Sequence, residues 1–453
     1  MNRPQQSIAY LPGLDGLRAI AVLAVVIYHA NKNWLSGGFL GVEVFFVISG
    51  YLITLLLLTE SRQTGTISFG AFWTRRARRL LPALWTLLTL TTVYFSLFER
   101  AELGRLRGDV IAAFIYGFNW FKIWAQSSYF DGTALDPLRH LWSLAIEEQF
   151  YVMWPIVVWF VLKRWTPTTL GKVALFGATL SAAIQVIGIH AGLSIDRVYQ
   201  GTDTRAVAFL IGAAIATRGW PPKKVTIPTW ILPTFALVVL VPAAMWLPGD
   251  QTWVFSGPLI VISLAGIAAV VYSTTTDDRF LSSPVLRIIG RWSYGIYLFH
   301  WPLVVSHKFD DLHNVTRFVV VTLISVVLAG LSYRFVESPI RHRRLARIGL
   351  LTSAAVAVVI VVTSLIVSTP STPALDVSVT LAPRPTTLDS VPVDQPQRIM
   401  VFGDSLPAVA ADELQTEAES LGLEIEVRAD PGCVPSEEKN DQYGKPECVT
   451  FLQ

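Results

Sequence analysis

The chain has 453 residues, 52% hydrophobic and 15% charged, with a formal net charge of +3 and a mean hydropathy of +0.50. This composition excludes an ordinary soluble globular protein, and so small a charge gives no electrostatic case for a nucleic-acid partner. Fifteen tryptophans, many near the ends of apolar runs, point instead to a multi-pass membrane protein.

Taken in order, apolar runs suited to spanning a bilayer fall near 14–31, 38–59, 80–98, 142–163, 172–190, 203–217, 229–247, 254–273, 292–307, 316–337 and 348–368. The first contains His29 and lacks a small-x-small cleavage site, so it reads as a retained span. A weaker run near 109–125 is ambiguous, and the basic residues resolve it. If it does not cross, Arg75, Arg76, Arg78, Arg79, Lys163, Arg164, Lys172, Arg218, Lys223, Lys224, Arg279, Arg287, Arg291, Arg341, Arg343, Arg344 and Arg347 share the side of the N-terminus. The expected fold is an all-α polytopic membrane protein with ten core spans, an eleventh linking span and a cytoplasmic N-terminus. Residues 99–141 then form one long outer segment with an interfacial or re-entrant helix.

Beyond the spans the composition changes. Residues 369–397 are rich in Pro, Thr and Ser and read as a linker. RIMVFGDSL reads as a short strand entering a turn, 407–421 has helical periodicity, and LEIEVRA reads as a second strand. The expected organisation is a membrane domain over 1–340, a cytoplasmic loop and eleventh span over 341–368, the linker, and the start of an α/β unit over 398–453. Cys433 and Cys448, the two cysteines of the chain, suit a disulfide if that end faces an oxidising compartment. No nucleotide-binding glycine loop and no metal-ligand spacing is present, so no metal is expected.

Charged groups at membrane depth cost about 2.5–3.5 kcal/mol each, so their placement is informative. Arg18 and His29 lie eleven residues apart. On a helix that separation is about 1100°, which puts both on one face with a rise of roughly 16 Å. His29 lies near the outer end of the first span and Glu43 near that of the second. His140, Glu147 and Glu148 sit in HLWSLAIEEQFY, where the outer segment enters the fourth span, and Tyr297 and His300 sit in SYGIYLFHWPL. Arg75 and Arg79 mark the cytoplasmic mouth of the third span. The pattern implies an anion site on one side and an acid/base site across the membrane. Each element also has a structural reading: a lone histidine hydrogen-bonded within the bundle, an arginine run that sets topology. Glu147 and Glu148 diverge by about 100°, so only one faces the centre.

LDGLRAIAVLAVVIYH, GGFLGVEVFFVISGYLIT, FWTRRARRLLPAL, HLWSLAIEEQFYVMWP and GRWSYGIYLFHWPL, in this order over 10–340, resemble the bacterial membrane acyltransferase family 3 of polysaccharide and antibiotic O-acyltransferases. The resemblance implies transfer of an acyl group, acetyl by expectation, from cytoplasmic acyl-CoA to a hydroxyl of an extracytoplasmic glycan or glycolipid, within membrane lipid. It matches Arg18 and His29 to the family's arginine–histidine pair, with His29 as general base and Glu43 or Glu147 holding the imidazolium. The family commonly has Asp where Glu43 stands. It matches Arg75 and Arg79 to two arginines that engage the donor, and it leaves His140, Tyr297 and His300 as substrate or structural positions. Asp404 and Ser405 resemble the opening block of an SGNH hydrolase-like domain. No histidine follows Ser405 and the segment is shorter than that domain, so hydrolase chemistry is not expected from it. A proton-coupled transporter or flippase is the competing reading, because intramembrane Arg, His and Glu also mark transport paths.

Overall fold

The computed structural model describes residues 10–341, except 99–102, 131–135, 219–227, 229, 277, 307–308 and 310–311, together with Val358, Val362 and the backbone of 398–403 and 424–429. The chain divides into two units, Met1–Thr372 and Pro373–Gln453.

The first unit is helical. Its helices are α1 (Pro12–Ala30), α2 (Gly41–Thr64), α3 (Phe69–Phe98), α4 (Leu103–Phe114), α5 (Phe118–Trp124), α6 (Leu141–Arg164), α7 (Pro167–His190), α8 (Ile195–Gln200) and α9 (Thr202–Ala216). They continue with α10 (Ile231–Trp246), α11 (Thr252–Phe255), α12 (Pro258–Thr275), α13 (Pro284–Val304), α14 (Asn314–Ser332) and α15 (Ser338–Arg341), the last two joined by a π turn at Tyr333–Glu337. Local chemistry sets the ends. Pro12, Pro167, Pro258 and Pro284 open helices where a missing N–H costs nothing. The Thr166 side chain accepts from the Thr169 N–H to cap α7. Gly65, at φ +75°, closes α2 in the left-handed conformation that glycine adopts freely.

Among the described residues, seven helices are long and apolar enough to cross a membrane: α1, α2, α3, α6, α7, α12 and the stretch from α14 to Arg341. By the same measure α9 and α10, at 15 and 16 residues, are short, and α13 carries Arg287, Arg291 and His300. The ambiguous 109–125 run forms α4 and α5, of 12 and 7 residues. At about 1.5 Å per residue neither is long enough to cross. The expected eleventh span and the linker lie outside the described residues apart from Val358 and Val362.

Helix α2 sits at the centre: 83% of its most apolar window is buried, against 22% for α14. It packs on α1, α6, α9 and α12. Small residues allow its close approach to α9: a Cβ on Gly50 would lie 1.9 Å from the Phe209 carbonyl oxygen, and one on Gly212 would lie 2.3 Å from that of Val47. Helix α1 packs along α13, which brings the first and ninth apolar runs together.

In the second unit, strands β1 (Arg398–Gly403) and β2 (Glu424–Ala429) pair in parallel, with Arg398 opposite Glu424 and Gly403 opposite Ala429. Parallel strands need a crossover between them. The expected intervening helix lies outside the described residues, as do Asp404, Ser405, Cys433 and Cys448.

Candidate active site

Two histidines and a tyrosine meet where α1 and α13 end together. His29 Nδ1 lies 2.8 Å from His300 Nε2, and His29 Nε2 lies 2.9 Å from the Tyr129 hydroxyl. His300 Nδ1 lies 2.7 Å from the Tyr297 carbonyl oxygen. That last contact orders the rest. A carbonyl only accepts, so His300 Nδ1 carries a proton and, in the neutral ring, its Nε2 carries the lone pair. His29 Nδ1–H therefore donates to His300, and the free lone pair of His29 falls on Nε2, facing Tyr129. The two rings stack with centroids 5.1 Å apart, and Trp301 meets His29 edge-on at 4.6 Å. Burial pushes the Tyr129 phenol well above its ordinary pKa, so its hydroxyl is the donor to His29. His29 is half-buried.

His140 completes this cluster, its ring centroid 5.8 Å from that of His300 and 5.5 Å from that of Tyr297. Burial and the neighbouring His300 hold its pKa well below the ordinary value. The Tyr297 hydroxyl donates to the His140 carbonyl oxygen at 2.9 Å and lies 2.7 Å from Ser143 Oγ.

The other side of that hydroxyl pair is a cavity. A narrow inner chamber of about 50 Å³ is lined by Arg18, Arg76, Arg79, Glu147, Ser143 and Tyr297, among others. It shares Arg18, Leu52, Arg76, Arg79 and Tyr294 with a wider vestibule of about 370 Å³ toward the start of α1. The vestibule adds Arg291 and Arg341, against the two carboxylates Asp15 and Glu337. Five guanidinium groups converging on one concave surface select an anionic ligand, and the narrowing selects one that ends in a slender arm.

Three expectations about this site are corrected. Glu43 does not reach His29: in the first turn of α2, it accepts from Arg205 of α9 and Ser263 of α12, and both charged side chains are buried. The depth of Glu43 is as expected, but its direction around the helix is toward α9. Glu147 does not reach His29 either; Ser49 and Tyr151 donate to it beside the inner chamber. Of the adjacent pair, Glu147 is the one that faces the cavity. Arg75 lies outside it, 57% exposed in its side chain and 3.0 Å from Glu60. Arg76 takes its place. Arg79 lies about 40° from Arg75 and about 60° from Arg76 around the helix, so which neighbour joins it depends on the direction of the cavity, which spacing does not give. Arg18, His29, Arg79, His140, Tyr297 and His300 do converge on the two connected regions. Tyr129 and Arg205 carry no signal in the sequence, and Arg76 stands there only as a topology residue. Tyr129 lies in SSYF between the short α5 and the start of α6, where no periodicity marks it.

The Glu43–Arg205 pair carries a stability prediction. Arg205 also lies over the rings of Phe46 and Tyr199, at 5.7 and 5.1 Å. Arg205→Met leaves a buried carboxylate unpaired and is expected to cost about 3–5 kcal/mol. Thermal unfolding in detergent should show a large drop for Arg205→Met and recovery on adding Glu43→Leu.

Among the described residues, no group of three or more His, Cys, Asp or Glu side chains is arranged to hold a metal ion. Residues 11–334 match the family model described as an acyltransferase domain, Acyl_transf_3. The chain is similar to the O-acetyltransferase OatA of Staphylococcus aureus, at 40% identity over 349 residues that cover 74% of this chain and 58% of that protein. It is also similar to a putative O-acetyltransferase of S. aureus strain COL, at 38% identity over 353 residues with the same coverage, 74% and 58%. The chain thus spans 58% of the length of these curated relatives. No solved structure matches it.

Proposed function

The chain belongs to the Acyl_transf_3 acyltransferase family, and from that premise we propose that it transfers an acetyl group from cytoplasmic acetyl-CoA to a hydroxyl of an extracytoplasmic glycan or glycolipid. The similarity to S. aureus O-acetyltransferases supports acetyl as the acyl group. The observation that carries the mechanism is the hydrogen-bond chain from the Tyr297 carbonyl through His300 to His29, which leaves the His29 Nε2 lone pair facing a hydroxyl at 2.9 Å.

In this reading, Arg18, Arg76, Arg79, Arg291 and Arg341 hold the phosphates of the donor, each contact a charge-assisted hydrogen bond. Glu147 sits beside Arg18 and moderates the positive charge of the inner chamber. The chamber directs the thioester end to the Ser143–Tyr297 hydroxyl pair, one helical turn from His300. The acceptor hydroxyl displaces only the Tyr129 hydroxyl from His29 Nε2, and the Tyr129 ring, edge-on to His29, remains as a wall of the site. As its oxygen bonds to the acyl carbon, His29 Nε2 takes its proton, the carbon–sulfur bond breaks, and the proton passes to the leaving thiolate. His300 orients His29 and shares the charge of the imidazolium, the part first expected of Glu43 or Glu147. The basic residues gathered at the vestibule end support a cytoplasmic vestibule and an extracytoplasmic His29.

The test incubates membranes carrying the protein, or its His29→Ala variant, with acetyl-labelled acetyl-CoA and follows label into glycan and lipid fractions. Label that requires His29 supports the reading and names the acceptor fraction. Uptake of an envelope precursor without acetyl transfer would replace it with the transporter reading.

A further inference from the structure

The segment that brings Tyr129 to His29 is held by four buried charges the transfer chemistry does not use. Lys122 of α5 lies 2.7 Å from Asp109 of α4 and 2.9 Å from Asp136, in the stretch just before α6. Arg139 lies 3.7 Å from the same Asp136 carboxylate. All four residues are at most 9% exposed. Two cationic side chains face two carboxyl groups, which makes the cluster tolerable in a dry place but costly to break.

The cluster is tied to both neighbours of His29. Arg139 donates to the Tyr129 carbonyl oxygen at 3.1 Å, and the Trp301 indole N–H donates to the Asp136 carbonyl oxygen at 2.7 Å. The Arg139 guanidinium also lies 5.9 Å from the centre of the Trp301 ring. From the other side, Asp196 accepts from the Tyr129 backbone N–H at 2.6 Å. We propose that Lys122, clamped between Asp109 and Asp136, is a positioning residue that docks the α5–Tyr129 segment and so sets Tyr129 and Trp301 around His29.

The effect on catalysis rests on His29 acting as the base, whereas the docking does not. The charged groups that act on Asp109 are Lys122 from α5 and Asp136 from the stretch before α6. Burial, and then Asp136, push the Asp109 carboxyl up to about 7, although Lys122 opposes this. The docked state therefore prefers Asp109 protonated. Docking is tightest below the ordinary carboxylate range and loosens as pH rises through about 7, by roughly tenfold between pH 6 and pH 8.

The experiment uses the full-length protein with Cys433→Ser, Cys448→Ser and a reporter Ser128→Cys beside Tyr129. It measures maleimide labelling and acetyl transfer in the same membranes. Lys122→Met is expected to raise the labelling rate at least about tenfold and to lower kcat about 10²-fold with the KM for acetyl-CoA unchanged, because the vestibule lies elsewhere. Unchanged labelling and kcat would overturn the proposal. Raised labelling, in a protein that transfers no acetyl group even with Lys122 intact, would leave the docking role standing and sink the acetyltransferase reading. If Lys122→Met does not accumulate, Asp109→Asn decides. With Asp109 intact, labelling relative to a surface reference cysteine should rise about tenfold from pH 6 to pH 8, and Asp109→Asn should flatten that rise. Identical profiles would overturn the proposal.

Discussion

Replacing His29 with alanine is expected to lower acetyl transfer by about 10²–10⁴-fold while leaving donor binding intact. The two effects separate because the base and the anion vestibule share no residue. The loss should fall on kcat, since proton removal is an interaction made only as the new bond forms. His300→Ala is expected to give a smaller loss on the same parameter. It leaves a base in place but frees the ring to place its lone pair on either nitrogen, and only the Nε2 lone pair faces the acceptor position. Glu43→Gln, by contrast, should act on protein stability through Arg205 rather than on the proton transfer. Stopped assays at saturating acetyl-CoA, with the amount of folded protein measured in each membrane preparation, distinguish these results.

The second large effect concerns the donor. Arg76→Ala or Arg79→Ala is expected to raise the KM for acetyl-CoA by about 10–150-fold, the value of one charge-assisted contact of about 1.5–3 kcal/mol. The double variant should approach loss of measurable binding, because both side chains line the inner chamber and the vestibule alike. Arg75→Ala is the control. It removes an exposed ion pair with Glu60, worth about 0–1 kcal/mol, and should leave KM nearly unchanged. Equilibrium binding of unacylated CoA to the detergent-solubilised variants measures this without any acceptor. Equal effects of Arg75→Ala and Arg76→Ala would mean that the cavity does not receive the donor.

Elements whose signal is one-dimensional were legible: the apolar runs become α1 to α3, α6, α7, α9, α10 and α12 to α14, and the weak 109–125 run becomes two helices too short to cross. The depth of a polar residue along its helix is legible too, and His29, His140, Tyr297 and His300, placed at similar depth by the sequence, do meet. Direction around the helix was not. Glu43 lies at the depth of His29 but turns to Arg205, and Arg75 shares a face with Arg79 while Arg76 takes the cavity. These choices depend on which neighbour each helix packs against, a long-range fact that periodicity within one run does not contain. Tyr129 was invisible for a different reason. Its position is set by Asp196 and by the cluster of Asp109, Lys122, Asp136 and Arg139, from four separate stretches, and its own surroundings in the chain carry no pattern.

Donor and acceptor are expected to meet from opposite ends of the bundle, with the arginine vestibule on one side and His29 on the other. Sidedness tests it most directly. Sealed inverted vesicles, with their cytoplasmic face outward and envelope material enclosed, would receive acetyl-labelled acetyl-CoA from outside, alongside right-side-out vesicles treated in the same way. Label is expected in the enclosed material of the inverted vesicles, lost with Arg76→Ala at limiting donor and with His29→Ala at any donor concentration, and none in the right-side-out set. Labelling of the right-side-out vesicles alone would contradict it.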